Sequence, residues 1–97
     1  MKYDLPDRVR DDICRFAEKN GIEKVILFGS RAKGTNSERS DIDLAVQGGD
    51  SAAFYFDLED YAYTLLMFDV VDINKTKNEE LLREIERDGI VIYEKVR

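Results

Sequence analysis

With 97 residues there is room for one small domain, spanning 1–97, and 43% hydrophobic with 37% charged residues describes a globular chain rather than a disordered one. The net charge of −6 is the wrong sign for gripping nucleic acid through its phosphates, and the absence of histidine excludes His-based zinc sites, imidazole general bases and the Ser-His-Asp triad. No run reaches the roughly 18 apolar residues of a membrane span and no hydrophobic leader opens the chain, so a cytoplasmic protein with no membrane partner is expected.

The pattern over 4–20 predicts a helix: Pro6 suits a first turn, Val9, Ile13 and Phe16 fall at i, i+4 and i+7, and Gly21 stops the run. Cys14, the single cysteine, lies beside Ile13 and near Ala17 in that helix as a small core or boundary residue. A first strand covers 22–28, a short helical turn and polar loop cover 31–40, and a second strand covers 41–46. After the loop at Gly48-Gly49, Asp50 or Ser51 caps a helix through about residue 66, with Phe54, Leu58, Tyr61 and Leu65 along one face. Phe54, Tyr55, Phe56, Tyr61 and Tyr63 are more aromatics than one buried stripe needs. Boundary packing, base stacking and a protein interface, including self-association, are the options for the surplus.

A third strand covers 68–73. Asn78 then caps a helix with Glu79 and Glu80 in its first turn and Leu81, Leu82 and Ile85 on its buried face, Gly89 ends it, and 90–93 forms a last strand. The expected class is α+β, close to α/β: a small mixed, largely antiparallel sheet of about four strands, helices packed on one face, and the other face open and carrying acids.

Chemistry concentrates between Lys24 and Val46. An apolar strand breaks at Gly29-Ser30, ten mostly polar residues follow, and a second apolar strand opens as Asp41-Ile42-Asp43. Side chains two apart on a strand share a face, so the two carboxylates repel, and a hard divalent cation relieves that repulsion; Mg²⁺ favours a few carboxylates plus substrate phosphate oxygens. Gly29 lets the backbone approach a ligand, Ser30 offers a hydroxyl and an amide where a helical turn begins, and Arg31 and Lys33 add positive charge suited to phosphate. Ser40 is counted with this nucleotide-binding set. Gly29-Ser30 alone is an ordinary turn and Asp-x-Asp alone is weak; in this order and spacing they point to phosphoryl or nucleotidyl transfer. On the third strand Asp69 and Asp72 face opposite ways, so only one joins the site, and Asp69 reads as the deeper of the two.

Gly29-Ser30, ten residues, then Asp41-Ile42-Asp43 resembles the signature of the minimal nucleotidyltransferases, a branch of the polymerase-beta-like nucleotidyltransferase superfamily. The resemblance implies that Gly29 and Ser30 hold nucleotide phosphates and that Asp41 and Asp43 bind two Mg²⁺ ions. It also implies a third carboxylate, the first acid of a later strand, which selects Asp69 over Asp72 as metal ligand and general base. Proteins of this size resemble the antitoxin half of MNT/HEPN pairs, in which AMP passes from ATP to a tyrosine of a helical HEPN RNase toxin. That role is the leading expectation. Two rivals stand beside it: transfer to a small hydroxylated acceptor with a helical partner subunit closing the site, and a binding antitoxin that holds nucleotide without transferring it.

Overall fold

The computed structural model describes residues 3–96 and is built on a four-stranded sheet in the order β3-β2-β1-β4. In chain order the elements are α1 (Asp7–Lys19), β1 (Lys24–Phe28), α2 (Ser30–Lys33), β2 (Ile42–Gln47), α3 (Ser51–Tyr61), β3 (Phe68–Asp72), α4 (Glu79–Asp88) and β4 (Ile90–Glu94). β1 pairs antiparallel with β2 and β4, while β2 and β3 run parallel, so the sheet is mixed and largely antiparallel as expected. Parallel neighbours cannot be joined by a tight turn, and α3 makes the crossover between them. Among the described residues no helix is long and apolar enough to cross a membrane.

Strand alternation sorts the sheet's two faces. Val25 and Leu27 of β1 with Ile42, Leu44 and Val46 of β2 point to one side, where α1 brings Val9, Ile13, Phe16 and Ala17 and α3 brings Phe54 and Leu58. α1 ends in paired bonds, Ile22 N–H to Ala17 O at 2.9 Å and Gly21 N–H to Glu18 O at 3.3 Å, which satisfy its last carbonyls and turn the chain into β1. Asn20 and Lys19, at that helix end, then reach Asp57 of α3 at 2.8 and 3.3 Å. Cys14 is a boundary residue whose thiol lies 3.5 Å from Ile92 O.

The opposite side carries Ile26 and Phe28 of β1, Ala45 of β2 and Val71 of β3, and it is not bare. α4 lies over it, packing Leu81 and Ile85 into a second, smaller core. The Asn78 side chain accepts from Leu81 N at 3.1 Å and starts this helix. The face expected to be open is therefore covered in part by α4, and it stays exposed beside that helix, at Asp69 of β3 on one side and at Val91 of β4 on the other.

α3 is shorter than its sequence pattern predicts. It stops at Tyr61, and Ala62 is extended with φ −66° and ψ 140°. Phe54 and Leu58 are buried, but Tyr61 and Leu65, expected on the same buried face, are exposed. The segment that follows runs outside the core to β3.

Candidate functional site

β1 delivers the chain to Gly29, and the β1–β2 register sets Phe28 opposite Asp43. Gly29 therefore crosses in front of Asp43, with φ 75° and ψ −158°, a conformation open in practice to glycine alone. A Cβ at Gly29 would collide with the Asp43 carboxylate. One register step away, β3 sets Asp69 beside Asp43 on a parallel neighbour, about 5 Å apart between backbones. Asp43 and Asp69 share the face covered further along by α4, and Asp41 leads into β2 from the loop.

These acids act on one another. The Asp43 carboxyl is pushed up to about 6, first by burial and then by the negative charges of Asp69, Asp41 and Glu84. Glu84 was missed by sequence reasoning. Its signal was available: it precedes Ile85 and follows Leu81 by three residues, which turns it toward the sheet on α4. Asp69 is exposed, and the Asp72 side chain, at 14% exposure, is the more enclosed of the two. The expectation that Asp69 lies deeper is thus corrected. Asp72 is occupied at the strand end, accepting Asn74 N–H at 2.9 Å with Lys75 at 3.9 Å, while Asp69 is the acid in register with Asp43.

The phosphate-side residues divide. Ser30 is the first residue of α2, half-buried beside Gly29, and its carbonyl accepts Thr35 N–H at 3.0 Å. Lys33 is exposed at the end of α2, and its charge adds a little to the hydrogen bond from Arg87 that holds the Asp88 carboxyl of α4 below the usual range. Arg31 does something else. It is only 3% exposed, and its guanidinium donates to Ser40 O at 3.0 Å, Glu38 O at 3.1 Å and Asp4 O at 3.2 Å. Those bonds tie the loop before Asp41 to the N-terminal segment, so the expectation that Arg31 lends its charge directly to phosphates is not met by this geometry. Ser40 is likewise engaged in the loop, its hydroxyl accepting Ser37 N–H at 2.9 Å.

Among the described residues no three acids are drawn together into a ready-made metal cage. The donor set nonetheless fits a hard divalent cation. Asp43 and Asp69 stand in register on neighbouring strands and Asp41 is close enough to act on Asp43, so they offer carboxylate oxygens to an ion that completes its shell with phosphate oxygens and water, the mixed coordination that Mg²⁺ prefers to an all-protein cage.

A glycine turn folded over one carboxylate, with a second carboxylate in register on the next strand, is an arrangement that a cation-bound phosphate group would fit. The match to known proteins agrees, since a polymerase beta nucleotidyltransferase domain aligns with residues 11–97. This chain belongs to the polymerase beta nucleotidyltransferase family. It is 34% identical over 93 residues to MJ0128 of Methanocaldococcus jannaschii, a candidate protein adenylyltransferase, covering 92% of this chain and 95% of that one. A second candidate protein adenylyltransferase of that organism, MJ0604, is 35% identical over 81 residues, covering 74% and 79%. One chain of a toxin–antitoxin crystal structure determined with AMP-PNP superposes with a TM-score of 0.72 at 25% identity, covering 89% of this nucleotidyltransferase and 73% of its own length.

Proposed function

We propose that this nucleotidyltransferase moves AMP from Mg²⁺-bound ATP to a hydroxyl of a partner protein, a tyrosine of a helical HEPN-type RNase toxin, and acts as that toxin's antitoxin. The observation that carries the reading is the pairing of Asp43 with Asp69 beneath Gly29. The adenylyltransferase relatives support AMP as the transferred group and a protein as the acceptor, and the toxin–antitoxin neighbour with its ATP analogue supports the nucleotide and the class of partner.

Gly29 and Ser30 offer the triphosphate a close backbone approach and a hydroxyl, and Lys33 supplies a mobile positive charge at the rim. Asp41, Asp43 and Asp69 would hold Mg²⁺, two ions in the expected arrangement, which when bound neutralises the triphosphate and the departing pyrophosphate. A carboxylate oxygen of Asp69 takes the proton of the acceptor hydroxyl as its oxygen attacks the α-phosphorus; the bond to the bridging oxygen breaks and pyrophosphate leaves. Arg31 positions rather than touches, because its three bonds to carbonyls fix the loop that delivers Asp41.

The test is the intact mass of the protein encoded by the adjacent gene after incubation with this chain, Mg²⁺ and each nucleoside triphosphate in turn. A gain of one or more AMP units, absent with Asp41→Asn/Asp43→Asn, is the expected result. A partner that binds tightly yet gains no mass with any nucleotide would refute the catalytic reading.

A further inference from the structure

From Tyr61, the last residue of α3, to the start of β3, Tyr61, Tyr63, Leu65 and Met67 occupy alternate positions, and all four are exposed, at 65, 69, 102 and 57%. The intervening Ala62, Thr64 and Leu66 are turned inward. The backbone bends repeatedly here, Thr64 N–H donating to Ala62 O at 2.9 Å, and a solvated segment ordinarily places its polar residues outward; in this one the large apolar side chains take that side. The segment is also held. Tyr63 N–H donates to the buried Asp12 carboxylate at 2.8 Å, Leu66 N–H to Thr64 Oγ1 at 3.1 Å, and the Arg8 guanidinium lies 3.8 Å from the Tyr63 ring centroid. The exposure is therefore presented by a fixed backbone. A hollow of about 440 Å³ follows it along Ala62, Tyr63, Thr64 and Leu65.

Position gives the ridge an occupant. It ends at Met67, whose carbonyl accepts Ile42 N–H at 2.9 Å between Asp41 and Asp43, and two residues later the chain reaches Asp69. Whatever covers the ridge lies beside the acids. Exposed acids border it at both ends, Glu59 and Asp60 at the close of α3, Asp41 and Asp69 at the start of β2 and in β3, on a chain of net charge −6. Arg8 lies over Tyr63 among them, so the fringe is mainly, not wholly, acidic; apolar anchors rich in aromatic rings with such a fringe match a protein surface of basic fringe.

We propose that Tyr61, Tyr63, Leu65 and Met67 are the seat of the protein acceptor, through an apolar stripe on that protein fringed by lysine or arginine, which sets a hydroxyl-bearing residue over Asp41, Asp43 and Asp69. This rests on the reading of the chain as a protein nucleotidyltransferase. It adds the surface that selects the acceptor.

The probe is the protein encoded by the adjacent gene, with a Tyr63→Ser/Leu65→Ser/Met67→Ser variant of the full chain, whose exposed positions leave the core intact; its melting curve checks this. Three readouts are taken: affinity for the probe, rate of its nucleotidylation across probe concentrations, and ATP binding by the chain alone. The expected result is at least about tenfold weaker association, KM for the probe raised with kcat kept, ATP binding unchanged, and native association that weakens with salt. Unchanged affinity overturns the inference, as does a variant that loses only self-association by light scattering, which would assign the ridge to a second copy of this chain. A native chain that binds the probe through the ridge but does not modify it upholds the surface and refutes the transferase reading. No complex with the native chain overturns both.

Discussion

Gly29 and Asp43 stand so close that a side chain on the first would occupy the space of the carboxylate of the second. The cause is the β1–β2 register, which puts Phe28 opposite Asp43 and makes the next residue turn across it. Gly29→Ala is expected to cost about 1–3 kcal/mol in backbone strain and to abolish nucleotidyl transfer by displacing Asp43. Gly48→Ala is the matched control. Its φ is also positive, at 77°, but its Cβ meets the Glu23 side chain rather than a site residue. Thermal unfolding should fall for both and transfer be lost only for the first; equal loss of transfer would deny the close approach any special part.

Asp43 makes stability depend on pH. Its carboxyl is raised from 3.8 to about 6, chiefly by burial and then by Asp69, Asp41 and Glu84, so the folded state favours the protonated form. The stabilisation is complete below the unfolded value of 3.8 and is lost as pH rises through about 6. Because Asp43 is half-exposed, solvent screening reduces the effect to about 1 kcal/mol. Asp43→Asn stays neutral throughout. In chelator, its urea midpoint should match the native chain's at the acid end of that window and exceed it at neutral pH, and curves that stay parallel would sink the account.

Arg31 is the fastening of the loop before Asp41. Arg31→Met leaves the carbonyls of Ser40, Glu38 and Asp4 without their buried donor, a loss of about 2–4 kcal/mol. Arg31→Lys keeps the charge but not the fork, and should recover only part of it. Amide exchange should accelerate across 36–41 while β1 and β2 stay protected. Uniform acceleration would mean that Arg31 supports the whole fold rather than this loop.

Asp12 is a buried acid that α1 uses to hold the ridge. One oxygen meets Arg15 at 2.9 Å and the other accepts Tyr63 N–H at 2.8 Å. Asp12→Ala should cost about 1–3 kcal/mol and free the Tyr63 amide to exchange, whereas Asp12→Asn keeps an acceptor for that amide and should lose less than about 1 kcal/mol, the worth of a pair with an exposed arginine. Exchange rates at Tyr63 that are equal in the two variants would show that the hydrogen bond does not order the segment.

The strands, the four helices and the candidate acids Asp41 and Asp43 were legible in the sequence because their signals are local: alternation, helical spacing, caps, and two carboxylates in alternate positions on an apolar run. Asp69 was legible by parity, since which face a strand residue joins follows from counting. What counting could not supply was depth. Asp69 is exposed and Asp72 more enclosed because the β3 end folds back on Asp72 through Asn74 and Lys75, a contact with no periodic signature.

Tertiary structure alone decided three matters. Arg31 looked like a phosphate ligand from its place after Gly29-Ser30, but carbonyls of Asp4 in the N-terminal segment and of Glu38 and Ser40 in the loop that follows claim it, and a buried guanidinium spends its charge on whatever acceptors surround it. α4 brought Glu84 to the acid face because Leu81 and Ile85 found a home against Phe28 and Ala45, on the side of the sheet expected to be open. The predicted helix over 51–66 stopped at Tyr61 because the Tyr63 amide bonds to Asp12, 51 residues away in sequence. The sequence by itself determined which residues carry charge and in what alternation; the packing of distant elements determined which of those charges face one another, because burial and electrostatic coupling depend on distance in space.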